Sequence, residues 1–186
     1  MPIKRPTHAA LLALLLLAQA PAALAQRAAA PAPATPEPER SMAVFGDWAV
    51  RCEGVGEARN CEVTQTVQNS RSQPVGVFAI GRLARTDPMK LVAQLPVNVL
   101  LTAQPRLVLE GGTTTGTPLA LNWRQCIPTG CYAEIDLRDT ALLTRLAART
   151  AEQTGRLAFK QASGADAALP MSFRGLAQAL EALGRE

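Results

Sequence analysis

Apolar and polar residues alternate one for one along much of this chain. In "DWAVRCE", Trp48, Val50 and Cys52 fall on one face, and Ala49, Arg51 and Glu53 on the other. In "NCEVTQTVQ", Cys61, Val63, Gln65 and Val67 share a face opposite Glu62, Thr64 and Thr66. A period of two marks a half-buried strand. The intervening "EGVGEARN" has the glycines and mixed charge of a hairpin loop. Further strands are expected over "PVGVFAIGRL", "MKLVAQLP", "VLLTAQPRLVLE", "PLALNWRQC", "CYAEIDL" and "GRLAFKQA", punctuated by Asp87-Pro88, Pro96, Gly111-Gly112, Gly116 and Pro118.

Two segments switch to helical spacing. "RDTALLTRLAART" carries Leu142, Leu143 and Leu146, with Asp139 or Thr140 as N-cap. "FRGLAQALEAL" sets Leu176, Ala179, Leu180 and Leu183 on one side of a closing helix. Short strands with few helices predict a mainly β fold. The expected form is an antiparallel β-sandwich or partly closed barrel with one or two short helices, including a C-terminal one. A parallel α/β sheet would need a helix between most strands.

The first 42 residues follow other rules. Lys4 and Arg5 precede the apolar "AALLALLLLAQA", and Ala23-Leu24-Ala25 fits a small-residue cleavage site. Residues 1–25 therefore read as a secretory signal peptide, whose twelve-residue apolar run is too short for a membrane span of about 20 apolar residues. Residues 26–42, with alternating Pro and Ala, read as an extended tether, and residues 43–186 as one domain. The expected location is the periplasm, or a secreted or outer-envelope position.

Removing Lys4 and Arg5 lowers the formal charge from +4 to +2, and sixteen of the nineteen basic residues are Arg, scattered singly. No basic stripe with stacking aromatics is visible, which argues against nucleic acid as a partner.

Four cysteines form two close pairs, 52 with 61 and 126 with 131. In an exported chain an even count implies disulfides. Cys126 and Cys131 bracket a four-residue turn, and Cys52 and Cys61 end and begin facing strands, so local pairing is expected. Chain entropy gives roughly 2 kcal/mol for the shorter ring and nearly 3 for the longer. Pairing Cys52 with Cys126 would gain about 4.5 kcal/mol in the same treatment, so proximity rather than entropy selects the local links. A redox pair wants two intervening residues, not four. A four-cysteine zinc site would require the pairs to converge. Parity adds one more expectation: Trp123 and Cys126 fall on opposite faces of one strand, so a bulge is expected between them.

"FGDWAVRCE", "CEVTQ", "LPVNVLL", "CIPTGCYAEI" and "SFRGLAQALEAL" together resemble the invasion-associated locus B family of exported alphaproteobacterial proteins, over roughly residues 44–183. Leu176 stands where the family usually carries an aromatic. The resemblance implies an envelope or periplasmic protein with no defining catalytic activity.

The residues themselves offer little catalytic chemistry. The only histidine, His8, lies in the signal segment, so the commonest general base and metal ligand are missing beyond it. "EGGTTTG" lacks the Lys-Ser/Thr ending of a phosphate loop and reads as a loop between strands. Glu134 and Asp136 share one side of a strand, about 7 Å apart by strand rise, a spacing glycosidases use. Alternation places them on the solvent side beside Tyr132. Gln65 faces inward, where a buried amide must find partners. No catalytic, cofactor or metal residues are assigned. The expected function is a non-catalytic envelope protein acting through contacts with an envelope or extracellular protein. The alternative is a small secreted carboxylate-dependent hydrolase.

Overall fold

The computed structural model describes residues 38–84, 86–109, 118–138 and 140–186. The expected signal peptide, residues 26–37 of the expected tether, the 110–117 loop and Asp139 lie outside these.

Eleven strands form two antiparallel sheets, and two helices complete the order among the described residues. The large sheet holds β1 (Arg40–Phe45), β2 (Trp48–Glu53), β3 (Asn60–Gln68), β4 (Pro74–Gly81), β5 (Lys90–Leu95), β8 (Asn122–Ile127) and β9 (Gly130–Asp136). Its order is β1-β2-β3-β4-β5-β9-β8. The small sheet holds β6 (Arg106–Leu109), β7 (Leu119–Ala120), β10 (Thr154–Lys160) and β11 (Asp166–Ser172), in the order β11-β10-β6-β7. The helices are α1 (Thr140–Ala147) and α2 (Leu176–Leu183). The architecture is of the sandwich type and does not close into a barrel.

The alternating faces meet in one core. Trp48, Val50, Val63, Phe78, Ile80, Leu91 and Ala93 from the large sheet pack with Leu107, Leu157, Leu169 and Met171 from the small one. Leu146 of α1 and Leu176 and Ala179 of α2 join the same cluster. Leu176 is fully enclosed and fills its site with an aliphatic side chain.

Four expectations shift. β1 begins at Arg40, inside the expected tether 26–42, so the folded domain starts before residue 43. Pairing with β2 along its whole length makes this stretch a strand. "VLLTAQPRLVLE" extends only over Arg106–Leu109, while residues 100–103 turn back through Ala103 N–H to Leu100 O at 3.2 Å. Pro105 cannot donate to a ladder; its carbonyl accepts from Leu121 N–H at 2.9 Å. "PLALNWRQC" divides at the buried Leu121 into β7 and β8, which belong to different sheets. β11 was not anticipated. Its alternating Ala167, Leu169 and Met171 carry the inward signal, but alanines and Pro170 mask it.

The bulge is where parity placed it. β8 slips register against β9 between Trp123 and Gln125, after which Cys126 faces Cys131.

Candidate functional site

Two regions concentrate interacting side chains. The first joins the β1–β2 turn to the β11–α2 junction. Asp47 N–H donates to Arg174 O at 3.0 Å. Ser172 Oγ donates to Asp47 Oδ2 at 2.7 Å and accepts from Arg174 N–H at 3.1 Å. Arg174 Nε donates to Asp47 Oδ2 at 3.1 Å, and its Nη2 pairs with Asp47 Oδ1. The Ser172 peptide is held as well: its carbonyl accepts from Trp48 Nε1 at 2.8 Å, and its N–H donates to Gln65 Oε1 at 3.1 Å. Gln65 thus has the partner that its burial requires.

Glycine makes this approach possible. Gly175 has φ +86, and a Cβ there would lie 1.9 Å from Phe45 O; Gly46 has φ +58, and its Cβ would lie 2.6 Å from Arg174 O. Hydrogen bonds from Arg174, then Ser172, hold the Asp47 carboxyl below its ordinary value, and Asp47 in turn raises Arg174. Asp47, Ser172 and Arg174 were not singled out as a unit, because 125 or more residues separate the partners. The signal available was the pair of short motifs, "FGDW" and "SFRG".

The second region is a trough of about 580 Å³ on the outward face of the large sheet. Ala79, Gly81 and Val92 form a low floor across β4 and β5. Arg51, Glu62, Tyr132 and Glu134 stand around it, and Leu83 projects from the rim with 84% exposure. Register explains the layout: Ala79 faces Val92, and Val92 faces Glu134.

The two carboxylates singled out for hydrolysis do share this surface, but each is committed to cations. Lys90 Nζ lies 2.6 Å from Glu134 and 3.7 Å from Asp136. Arg124 is 3.3 Å from Glu134, and Arg138 is 3.1 Å from Asp136. The bond to Glu134, first, raises Lys90 above the ordinary lysine value. Such a ladder suits recognition of charged groups more than proton transfer.

The cysteine pairs link the hairpins on either side of the trough floor, with Cys52 and Cys131 turned into the core. Cys52–Cys61 links β2 to β3, with S–S 2.10 Å and Cα–Cα 4.1 Å. Cys126–Cys131 links β8 to β9, with S–S 1.96 Å and Cα–Cα 4.0 Å. Both join directly opposed residues. The pairs sit on separate hairpins and do not converge on one site. The Glu186 carboxylate lies within 4.8 Å of the Cys52 and Cys61 sulfurs. Sulfurs bonded to each other are not thiolate ligands, so this trio holds no metal while the bond is intact.

The sequence model of the invasion associated locus B (IalB) protein family matches residues 48–184. The chain belongs to this family. The crystal structure of invasion associated protein B from Bartonella henselae is similar, with a TM-score of 0.65 and 20% identity over 78% of this chain and 96% of that one. At that identity the likeness speaks for the fold. No curated protein matches the sequence. Among the described residues, no helix is long and apolar enough to cross a membrane.

Proposed function

We propose that this invasion associated locus B protein is a non-catalytic, exported envelope protein that works through protein–protein contacts made along the trough. The observation that carries the reading is the ladder of Lys90, Glu134, Arg124, Asp136 and Arg138 beside a low floor of Ala79 and Val92. A shallow surface with laterally matched charges complements an extended polypeptide and sets its register. The hydrolase alternative would need Glu134 and Asp136 released from their cations, and nothing in the geometry favours that. Processing after Ala25 and oxidised cysteine pairs accompany the proposal, since such links persist outside the cytoplasm.

In-cell photocrosslinking tests it. A crosslinker at Leu83, on the rim, should capture a discrete envelope protein identifiable by mass spectrometry. The same group at Ala168, exposed on β11 of the small sheet, should not. Equal capture from both positions, or none from Leu83, would count against the trough.

A further inference from the structure

Two open sheets leave four outer strands, and three of them carry devices that discourage further pairing. β8 is bulged at Trp123/Gln125 and carries Arg124, and the 103–104 loop bonds to it through Trp123 Nε1 to Ala103 O at 3.0 Å and Gln104 Nε2 to Asn122 Oδ1 at 3.0 Å. β7 is two residues long. β11 contains Pro170, which offers no N–H, and Asp166. Bulges, charge, proline and brevity are the usual guards of a sheet edge.

β1 has none of these between Ser41 and Phe45. The segment "SMAVF" is uncharged and free of proline, pairs regularly with β2, and has no strand on its other side among the described residues. Its flanking pair Phe45/Trp48 closes a two-residue hairpin. In such a hairpin the flanking pair exchanges hydrogen bonds, and every second pair does so after it. The peptide groups of Arg40, Met42 and Val44 therefore point away from β2. The Met42 and Val44 side chains are 69% and 66% exposed, an apolar outer stripe along the bare edge.

We infer that β1 is a self-association edge, at which a second copy of this chain adds its own β1 antiparallel across a two-fold axis. The strand is self-compatible in one register. With Met42 opposite Met42 of the second copy, Arg40 falls opposite Val44, and no like charges are opposed. The outward N–H and C=O groups of Arg40, Met42 and Val44 in both copies find partners, and Met42 and Val44 of both copies form one apolar stripe. β1 precedes the family-matched residues 48–184, and Met42 and Val44 do not line the trough. Pairing two six-residue strands covers less than the roughly 1,600 Å² of a standard stable interface, so a weak dimer is expected, with a dissociation constant of about 10⁻⁵ to 10⁻³ M.

The test is sedimentation of the mature protein from about 1 μM to about 1 mM. The average mass should rise toward twice the monomer. Met42→Lys with Val44→Lys should remain monomeric throughout with an unchanged melting temperature, because both positions are exposed. Leu83→Lys, on the trough rim, should dimerise like the parent, so failure of the trough reading would leave this one standing. Met42→Cys should give a covalent dimer on mild oxidation, whereas Val44→Cys, which faces Arg40, should not. A monomer at every concentration, undiminished association of the double-lysine variant, or capture at Met42 of a different protein's strand in place of a second copy would each overturn the inference.

Discussion

The knot at Ser172 and the trough above Ala79 are both built from charged and polar side chains, yet they stand in different relations to the fold. In the knot, partners come from opposite ends of the domain and from both sheets, and the bonds include backbone groups that water does not reach easily. In the trough, adjacent strands of one sheet and Arg138 just beyond β9 supply the charges, with Lys90 and Glu134 half-buried at the centre and Arg124 and Arg138 exposed around them. Losing Trp48 or Gln65 in the first leaves a part-buried group of the Ser172 peptide unsatisfied, which costs about 1–3 kcal/mol, whereas the Asp47–Arg174 pair lies nearer the surface. Losing Lys90 in the second leaves carboxylates that each still have another partner of opposite sign in the ladder, and such pairs contribute about 0–1 kcal/mol. The lesson is that similar chemistry stabilises in one place and remains available for contact in the other.

Reduction should have the largest effect, because it releases the hairpins flanking the trough. With dithiothreitol the two links together should lose about 5 kcal/mol in urea denaturation, whereas EDTA should change nothing. The opposite pattern would point to metal. Trp48→Ala should follow, at about 3–5 kcal/mol, since Trp48 is completely buried and its indole holds Ser172. Gln65→Leu keeps the volume but orphans the Ser172 N–H, and should cost about 1–3 kcal/mol by the same measurement. A value near zero would mean that the sheets are joined by packing alone.

Acid separates the regions further. A carboxyl whose folded value is depressed contributes stability that is fully present above its unfolded value, about 3.9 for Asp, and is lost as pH falls through the folded one. The Asp47 contribution should therefore persist at neutral pH and disappear only in strong acid. Asp47→Asn should lower stability by about 1 kcal/mol at pH 7 and flatten that acid limb. The smallest change is expected from Glu134→Gln, below about 1 kcal/mol, because the amide oxygen still accepts from Lys90 and Asp136 remains beside that lysine. If Glu134→Gln destabilised as much as Gln65→Leu, the trough would be structural and the contrast would fail.

Much of the fold was legible because alternation is local. β2, β3, β4, β5, β9 and β10, the local cysteine pairs and the bulge before Cys126 all follow from period-two patterning and parity. β1 and β11 were hidden, because an edge strand need not alternate cleanly and because Pro170 and the alanines weaken the local preference. Of the candidate site, Glu134, Asp136 and Gln65 were visible as residues, but their partners were not. Lys90 meets Glu134 only because β5 lies beside β9, and Gln65 meets Ser172 only because β11 crosses β3.

The sequence by itself determined the strand faces, the hairpin links and the closing helix, because each depends on residues a few positions apart. Tertiary structure decided which distant segments meet: Gly46 against Gly175, Gln65 against Ser172, and β1 at the end of the large sheet among the described residues. The physical reason is that alternation specifies which side of a strand is buried, whereas only the folded sheet specifies the neighbour that buries it.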